Sequence, residues 1–263
     1  MSALALSVRD SATMFRRDLV HSLRYPVMAV GGVMVPVSML LLFDGVFGGT
    51  MRAGLGAIVP AGGSYIDYLV PGILVMTVGS SAAATAINVT MDMNEGIIAR
   101  FRTMAVTRTS VLTGQMLGSL LRTLLSGALV VAAALALGFR PHATAPQWFA
   151  AAAVFAMLTV ALTWLGTAFG LQAKTPGGAN GLAQLVAFMP FISSAFVPTE
   201  AMPAGVRWFA EHQPFTPFIE TLRALLFGVP VGDSAIWAVA WCIAITAAGY
   251  VWARARYSRI PAR

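Results

Sequence analysis

Apolar positions in this chain gather into six long windows, residues 26–47, 67–90, 113–138, 147–171, 181–198 and 234–253, separated by polar segments. A helix needs about 20 mainly apolar residues to cross the hydrocarbon of a bilayer, and each window approaches or exceeds that length. The pattern predicts an all-α integral membrane protein, a single transmembrane domain over residues 1–263 with six transmembrane helices. Six crossings return both termini to one side. On that side fall Arg9, Arg16, Arg17, Arg24, Arg100, Arg102, Arg108, Lys174, Arg254, Arg256, Arg259 and Arg263, against Arg52, Arg140, Arg207 and Arg223 on the other. Basic residues accumulate on the cytoplasmic face. Both termini, the polar island at 90–113 and the Lys174 loop are therefore expected to be cytoplasmic.

Three polar segments carry a helical period of their own. Ahead of the first window Val8, Ala12, Phe15, Leu19 and Leu23 recur every three to four residues, while Arg9, Arg16 and Arg17 lie mostly off that stripe. This predicts an interfacial elbow helix, retained rather than cleaved as a leader. In the island, TMDMNEGIIARFRTMAVTRTSVLT, Asp92 and Glu95 stand at the spacing of a helix N-cap and its third residue. A short helix is expected to start near Asp92. Its continuation puts Ile97, Ile98, Phe101, Met104 and Ala105 on one face and Arg100, Arg102 and Thr103 away from it, as in a helix lying on a surface. Between the fifth and sixth windows, Pro198, Pro203, Pro214 and Pro217 interrupt a stretch containing Trp208, Phe209, Phe215 and Phe218. Two short helices are expected there, about 203–212 and 217–227, the second with Thr216 as its N-cap and Pro217 at its first position. Their apolar content reads as a re-entrant hairpin dipping into the outer leaflet, covered by protein or a wet cavity.

Composition narrows the chemistry. The chain is 58% hydrophobic and 10% charged, with a mean hydropathy of +0.77, more apolar surface than a soluble core of this size can use. Its 17 Lys and Arg against 10 Asp and Glu would suggest nucleic acid in a soluble protein. Here the basic residues flank apolar runs, where anionic lipid headgroups are the partner, and no nucleic acid is expected. The dominance of arginine over lysine, 16 to 1, together with abundant alanine, hints at a GC-rich bacterial source and so at a bacterial plasma membrane. The single Cys242 lies inside the last window and rules out an intrachain disulfide. Lys174 and Thr175 lack the glycines of a phosphate-binding loop, so the chain is not expected to hydrolyse ATP. His21, His142 and His212 are scattered, and neither a zinc-protease nor a serine-hydrolase motif occurs; no catalytic residue and no metal site is expected. Asp44, Asp67, Glu200, Glu211 and Glu220 fall near outer ends or in outer loops, which counts against a carrier that binds ions at an acidic pair in mid-membrane.

Within the third window stands Arg122, at a depth where a lone charge costs about 2.5–3.5 kcal/mol. It either snorkels or pairs within the bundle, or it lines an inward-facing cavity. Gly114 with Gly118, and Gly166 with Gly170, have the small-xxx-small spacing that permits close helix approach. Pro36, Pro71 and Pro190 are placed to kink or end their helices.

The order of parts, an elbow helix, two spans, a charged cytoplasmic helix, four further spans and a helical hairpin before the last, resembles the ABC type-2 exporter permeases. YIDYLVPGILVMT (Tyr65 to Thr77), DMNEGIIARFRTMAVTRTSVLTGQ and SSAFVPTEAMPAGVRWFAEHQPFTPFIETLRALLFG (Ser193 to Gly228) are similar to the membrane subunits of daunorubicin/doxorubicin-type resistance exporters. The likeness covers nearly the whole chain. Ala99 departs from it where an acidic residue often stands, and Ala105 where proline is frequent. The resemblance implies a permease that pairs with a second permease copy, a homodimer, and docks two copies of a separate ATPase subunit. ATP and magnesium would be bound by that partner, and a hydrophobic or amphipathic drug, antibiotic or lipid would pass outward along the dimer seam. It also implies that Asp92, Glu95, Gly96, Arg100, Phe101 and Arg102 couple ATP hydrolysis to the spans, together with elbow residues Phe15, Arg16, Arg17 and Leu19, and leaves Arg122, Gly114 and Gly118 as cavity or interface positions. An ion-coupled secondary transporter and a membrane assembly factor are the competing readings.

Overall fold

The computed structural model describes residues 26–54, 64–95 and 108–257, with side chains over 34–49, 64–95, 114 and 116–257. Its helices are α1 (Pro26–Gly54), α2 (Tyr65–Asn94), α3 (Arg108–Ala136), α4 (Ala145–Gln172), α5 (Pro176–Phe188), α6 (Ala204–His212), α7 (Phe215–Phe227) and α8 (Ser234–Tyr257). Among the described residues four stretches are long and apolar enough to cross a membrane: α2, Met116–Ala136 of α3, α4 and α8. In α1 the apolar stretch among described side chains, Met34–Gly49, is shorter.

Local chemistry explains where the helices begin. Asp67 closes the start of α2, its carboxylate accepting the Ser64 N–H at 2.7 Å. Gln147 does the same for α4, accepting from the Thr144 N–H at 2.7 Å. Both are capping-box geometries that satisfy amides a helix leaves open. α5 starts from Thr175, whose hydroxyl accepts the Gly178 N–H at 3.2 Å, with Pro176 in the first turn. α7 ends at Gly228 in the left-handed region, φ 69°, which glycine enters without the steric cost of a Cβ.

α2 is the hub of the bundle. It packs against α1, α3, α4, α5 and α7, and 78% of its spanning window is buried, against 17% for α8. Buried threonines return their hydroxyls to the carbonyl one turn back, as Thr77 to Ile73 (2.8 Å) and Thr159 to Phe155 (2.8 Å), so these donors do not face hydrocarbon unpaired. The outward faces are apolar: Leu125, Leu129, Phe149, Ile236, Trp237, Ile243 and Val251 are all exposed. Such a surface is suited to lipid.

Long-range bonds sort the bundle into two ends. At the Tyr65 end the Arg140 N–H donates to Asp67 Oδ1 (3.1 Å), the His142 N–H to Leu226 O (3.0 Å) and Thr221 Oγ1 to Ser234 Oγ (3.2 Å). The Phe43 ring stacks on Phe196 at 4.4 Å and brings α1 to the same end. At the Asn94 end, Asn94 Nδ2 reaches Lys174 O at 3.5 Å. By chain position Asp44, Asp67, Glu200, Glu211, Glu220 and Asp233 lie toward the first end, and Arg108, Lys174, Arg254 and Arg256 toward the second.

Several expectations are corrected. The window 181–198 is not one helix, since α5 stops at Phe188 and a 3₁₀ turn, Met189–Ile192, follows. Pro190 has no N–H to donate, and its ring crowds the carbonyl one turn back. Thr216 is not an N-cap: α7 starts at Phe215, and Thr216 Oγ1 donates instead to Ala210 O at 2.6 Å, holding α6 against α7. The two hairpin helices themselves form where the proline spacing put them. Among the described residues Asp92 does not start a helix, because α2 continues through it to Asn94 and Glu95 is its C-cap, the Glu95 N–H donating to Met91 O at 2.9 Å.

Candidate functional site

Of the residues singled out for coupling, Asp92 and Glu95 lie at the C-terminal end of α2, half-buried and exposed respectively. Gly96, Arg100, Phe101 and Arg102, and the elbow residues Phe15, Arg16, Arg17 and Leu19, fall outside the described residues. Asp92 and Glu95 are thus the last residues of the bundle's central helix rather than the first of a separate one. Any force on them acts directly on α2.

Why α2 persists this far is visible in its contact with α4. A Cβ built on Gly166 would lie 2.5 Å from Ala82 O, and one on Gly170 2.6 Å from Ala86 O and 2.7 Å from Val89 Cβ. The two helices therefore touch backbone to backbone along the small-xxx-small pair. Thr90 Oγ1 donates to both Ala86 O (3.0 Å) and Gly170 O (2.9 Å), and the Asn94 amide reaches the Lys174 carbonyl in the next loop. On its far side α4 meets α8 as closely, a Cβ on Gly249 falling 2.8 Å from Leu165 N. The Asn94 end of α2 is keyed to α4, and α4 to α8.

Contact between α2 and α3 has a different chemistry. Ser81 and Thr123 share one hydroxyl–hydroxyl hydrogen bond, and Thr85 and Ser119 a second at 2.9 Å. Arg122 sits beside this seam on α3, half-buried, and Gly114 and Gly118 are buried on the same helix. Such polar contacts between membrane helices contribute modestly, about 0.6 kcal/mol each.

At the Tyr65 end the residue that sequence reasoning missed is Arg223. Counted only as one of four basic residues on the sparse side, it turns inward from α7. Its guanidinium carbon lies 3.9 Å from the centroid of the Tyr68 ring, and its Nη2 donates to Tyr68 O (3.3 Å) and Ser194 O (2.7 Å). Burial pulls the guanidinium below its ordinary value, opposed by Tyr68 and Glu220; arginine stays charged at any working pH. Glu220, one turn earlier on α7, is open to solvent at its edge, yet the surrounding protein pushes its carboxyl up against the pull of Arg223. The non-helical segment that Arg223 binds is itself buried. Ser193, Ser194, Ala195 and Phe196 are all nearly inaccessible, Tyr65 Oη donates to Phe196 O at 3.2 Å, and a Cβ on Gly72 would meet Ala195 Cβ at 2.6 Å. Irregular backbone here is covered by protein, as a membrane requires. The sequence offers an arginine and an aromatic-rich helix start, but nothing in the spacing joins residues 155 positions apart.

Comparison with known proteins follows the same lines. Residues 10–227 match the ABC-2 type transporter family. The daunorubicin resistance ABC transporter permease protein of Streptomyces coeruleorubidus is 27% identical over 186 residues, covering 71% of this chain and 63% of the length of that relative.

Proposed function

The chain belongs to the ABC-2 type transporter family and is a multi-pass membrane protein, and from that premise we propose that it is the permease subunit of an ATP-driven exporter. Its cargo on this reading is a hydrophobic or amphipathic compound, a drug, antibiotic or lipid, moved out of a bacterial cell. ATP and magnesium are handled by a separate ATPase subunit, in two copies, docked beneath two copies of this chain. The family match over most of the chain carries the reading. The similarity to a permease named for daunorubicin resistance supports an apolar cargo, and the lipid-suited outer faces of α3 and α8 support their seating in the bilayer. By the positive-inside rule, the lysine and arginines toward the Asn94 end argue that this end and both termini face the cytoplasm.

Coupling on this reading enters at Asp92 and Glu95. A push on these two residues acts on α2 itself, and through the Gly166/Gly170 seam it carries α4 along. Gly96, Arg100, Phe101 and Arg102 supply the rest of the docking surface, with the elbow residues alongside. The test is substrate-stimulated ATP hydrolysis by the assembled complex. Replacing Glu95 and Phe101 together by alanine is expected to leave membrane insertion intact and to lower the stimulation at least several-fold. Unchanged stimulation removes the segment from the coupling role.

A further inference from the structure

Arg223 joins three parts of the chain through one side chain. It belongs to α7, its guanidinium covers the Tyr68 ring on α2, and its Nη2 bridges the carbonyls of Tyr68 and of Ser194 in the non-helical segment after α5. Both carbonyls are available for structural reasons. Ser194 lies outside any helix, and Tyr68 lies in the first turn of α2, where its carbonyl's second lone pair can accept from the side. Arginine suits this place because its planar fork can stack and donate at once, which a lysine ammonium cannot do.

The contact is closed yet incompletely satisfied. Arg223 Nε and Ser194 Oγ are buried with no hydrogen-bond partner, unmet polar atoms that a purely structural tie would avoid. A second set of polar groups borders the same residue. Arg223 lines an open recess of about 380 Å³ whose rim carries Glu220, Asp233 and Ser234. The guanidinium thus has one set of contacts in the carbonyls and the ring, and a second set of acceptors, the carboxylates, lines the recess it borders. Two alternative sets of contacts around one side chain make a bistable element.

We propose that Arg223 is the positioning residue of a latch at the outer end of the bundle: it holds α7 onto α2 and onto the 193–196 segment while the permease rests, and swings to the Glu220 and Asp233 rim when the outer end opens. The inference rests on the export reading for its purpose. α2 links it to the coupling end, since Tyr68 and Asp92 lie on one helix, about 36 Å apart at 1.5 Å per residue. Motion imposed at Asp92 acts on the other end of the same rod.

The test uses the full chain with its ATPase partner in right-side-out membranes, with Cys242→Ala to remove the native thiol and Ser194→Cys as a reporter beneath the latch. An impermeant maleimide added outside is expected to label the reporter thiol slowly at rest and several-fold faster during ATP turnover. Arg223→Met should label at rest at least ten-fold faster than the parent, and Arg223→Lys should fall between, keeping the charge but losing the fork. Glu220→Gln with Asp233→Asn, which leaves Arg223 in place, should keep the slow resting rate and blunt the rise with ATP, a split that simple loosening of the fold does not give. Equal resting rates in Arg223→Met and the parent, or no rise with ATP in membranes that do transport, would overturn the latch. Loss of ATP-driven transport in the parent, with the resting contrast between Arg223→Met and the parent intact, falls on the export reading instead.

Discussion

Gly170 has no side chain because a carbonyl and a valine already occupy the space. The nearest atoms to a Cβ there are Ala86 O at 2.6 Å and two Val89 carbons at 2.7 and 2.9 Å, and a helix backbone cannot step aside as a flexible side chain can. Gly181 on α5 is the control, since a Cβ there meets nothing within 4 Å. Gly170→Ala should destabilise by about 1–3 kcal/mol, the range for overpacking a fitted contact, while Gly181→Ala should be neutral or stabilise by up to about 1 kcal/mol through helix propensity. Thermal unfolding of the detergent-solubilised protein measures both. Equal midpoints for the two variants would show that α2 and α4 are not in backbone contact. At this scale the sequence was informative but incomplete. The glycine spacing announced a close approach, yet only the fold shows that Gly166 and Gly170 meet Ala82 and Ala86, whereas the open Cβ positions at Gly177 and Gly181 follow from nothing in the text of the chain. Arg223 was illegible for a related reason: its inward turn depends on Tyr68 and Ser194, which reach it only after the chain has folded back on itself.

Among the elements, those set by local chemistry could be read and those set by neighbours could not. Capping patterns of the same form occur at Ser64 with Asp67, at Thr144 with Gln147 and at Asp92 with Glu95. The first two start helices. The third closes one, because Val89 and Thr90 are buried against Gly170 and keep α2 helical to Asn94, with Glu95 as its C-cap. Likewise the apolar run at 181–198 has spanning composition, but Pro190 decides that it ends as a 3₁₀ turn and buried coil. The hairpin was legible because its prolines act locally. The α2–α3 contact offers a test of a different kind. Thr85 and Ser119 both bury their hydroxyls and bond each other at 2.9 Å, so Thr85→Val and Ser119→Ala should show a coupling of about 0.6 kcal/mol, and no more than about 1.7 kcal/mol, in a double-mutant cycle. Additivity within error would mean that each hydroxyl is satisfied by its own helix, with nothing gained across the seam.

For the whole molecule, one helix organises the rest. α2 carries Asp92 and Glu95, the proposed coupling residues, at one end and the Arg223 contact at the other. It is held to α4 by interlocked backbone and to α3 by hydroxyl pairs that contribute far less, so α4 is expected to follow α2 while α3 is free to shift. On the proposed export reading, this division gives a stroke at the Asn94 end a route to the hairpin at the Tyr65 end. The most direct test of that account is transport of a fluorescent amphipathic dye by the chain reconstituted in proteoliposomes, with and without its ATPase partner and ATP. The account predicts vectorial dye movement only when partner and nucleotide are both present. Dye transport by the chain alone, unaffected by nucleotide, would contradict it.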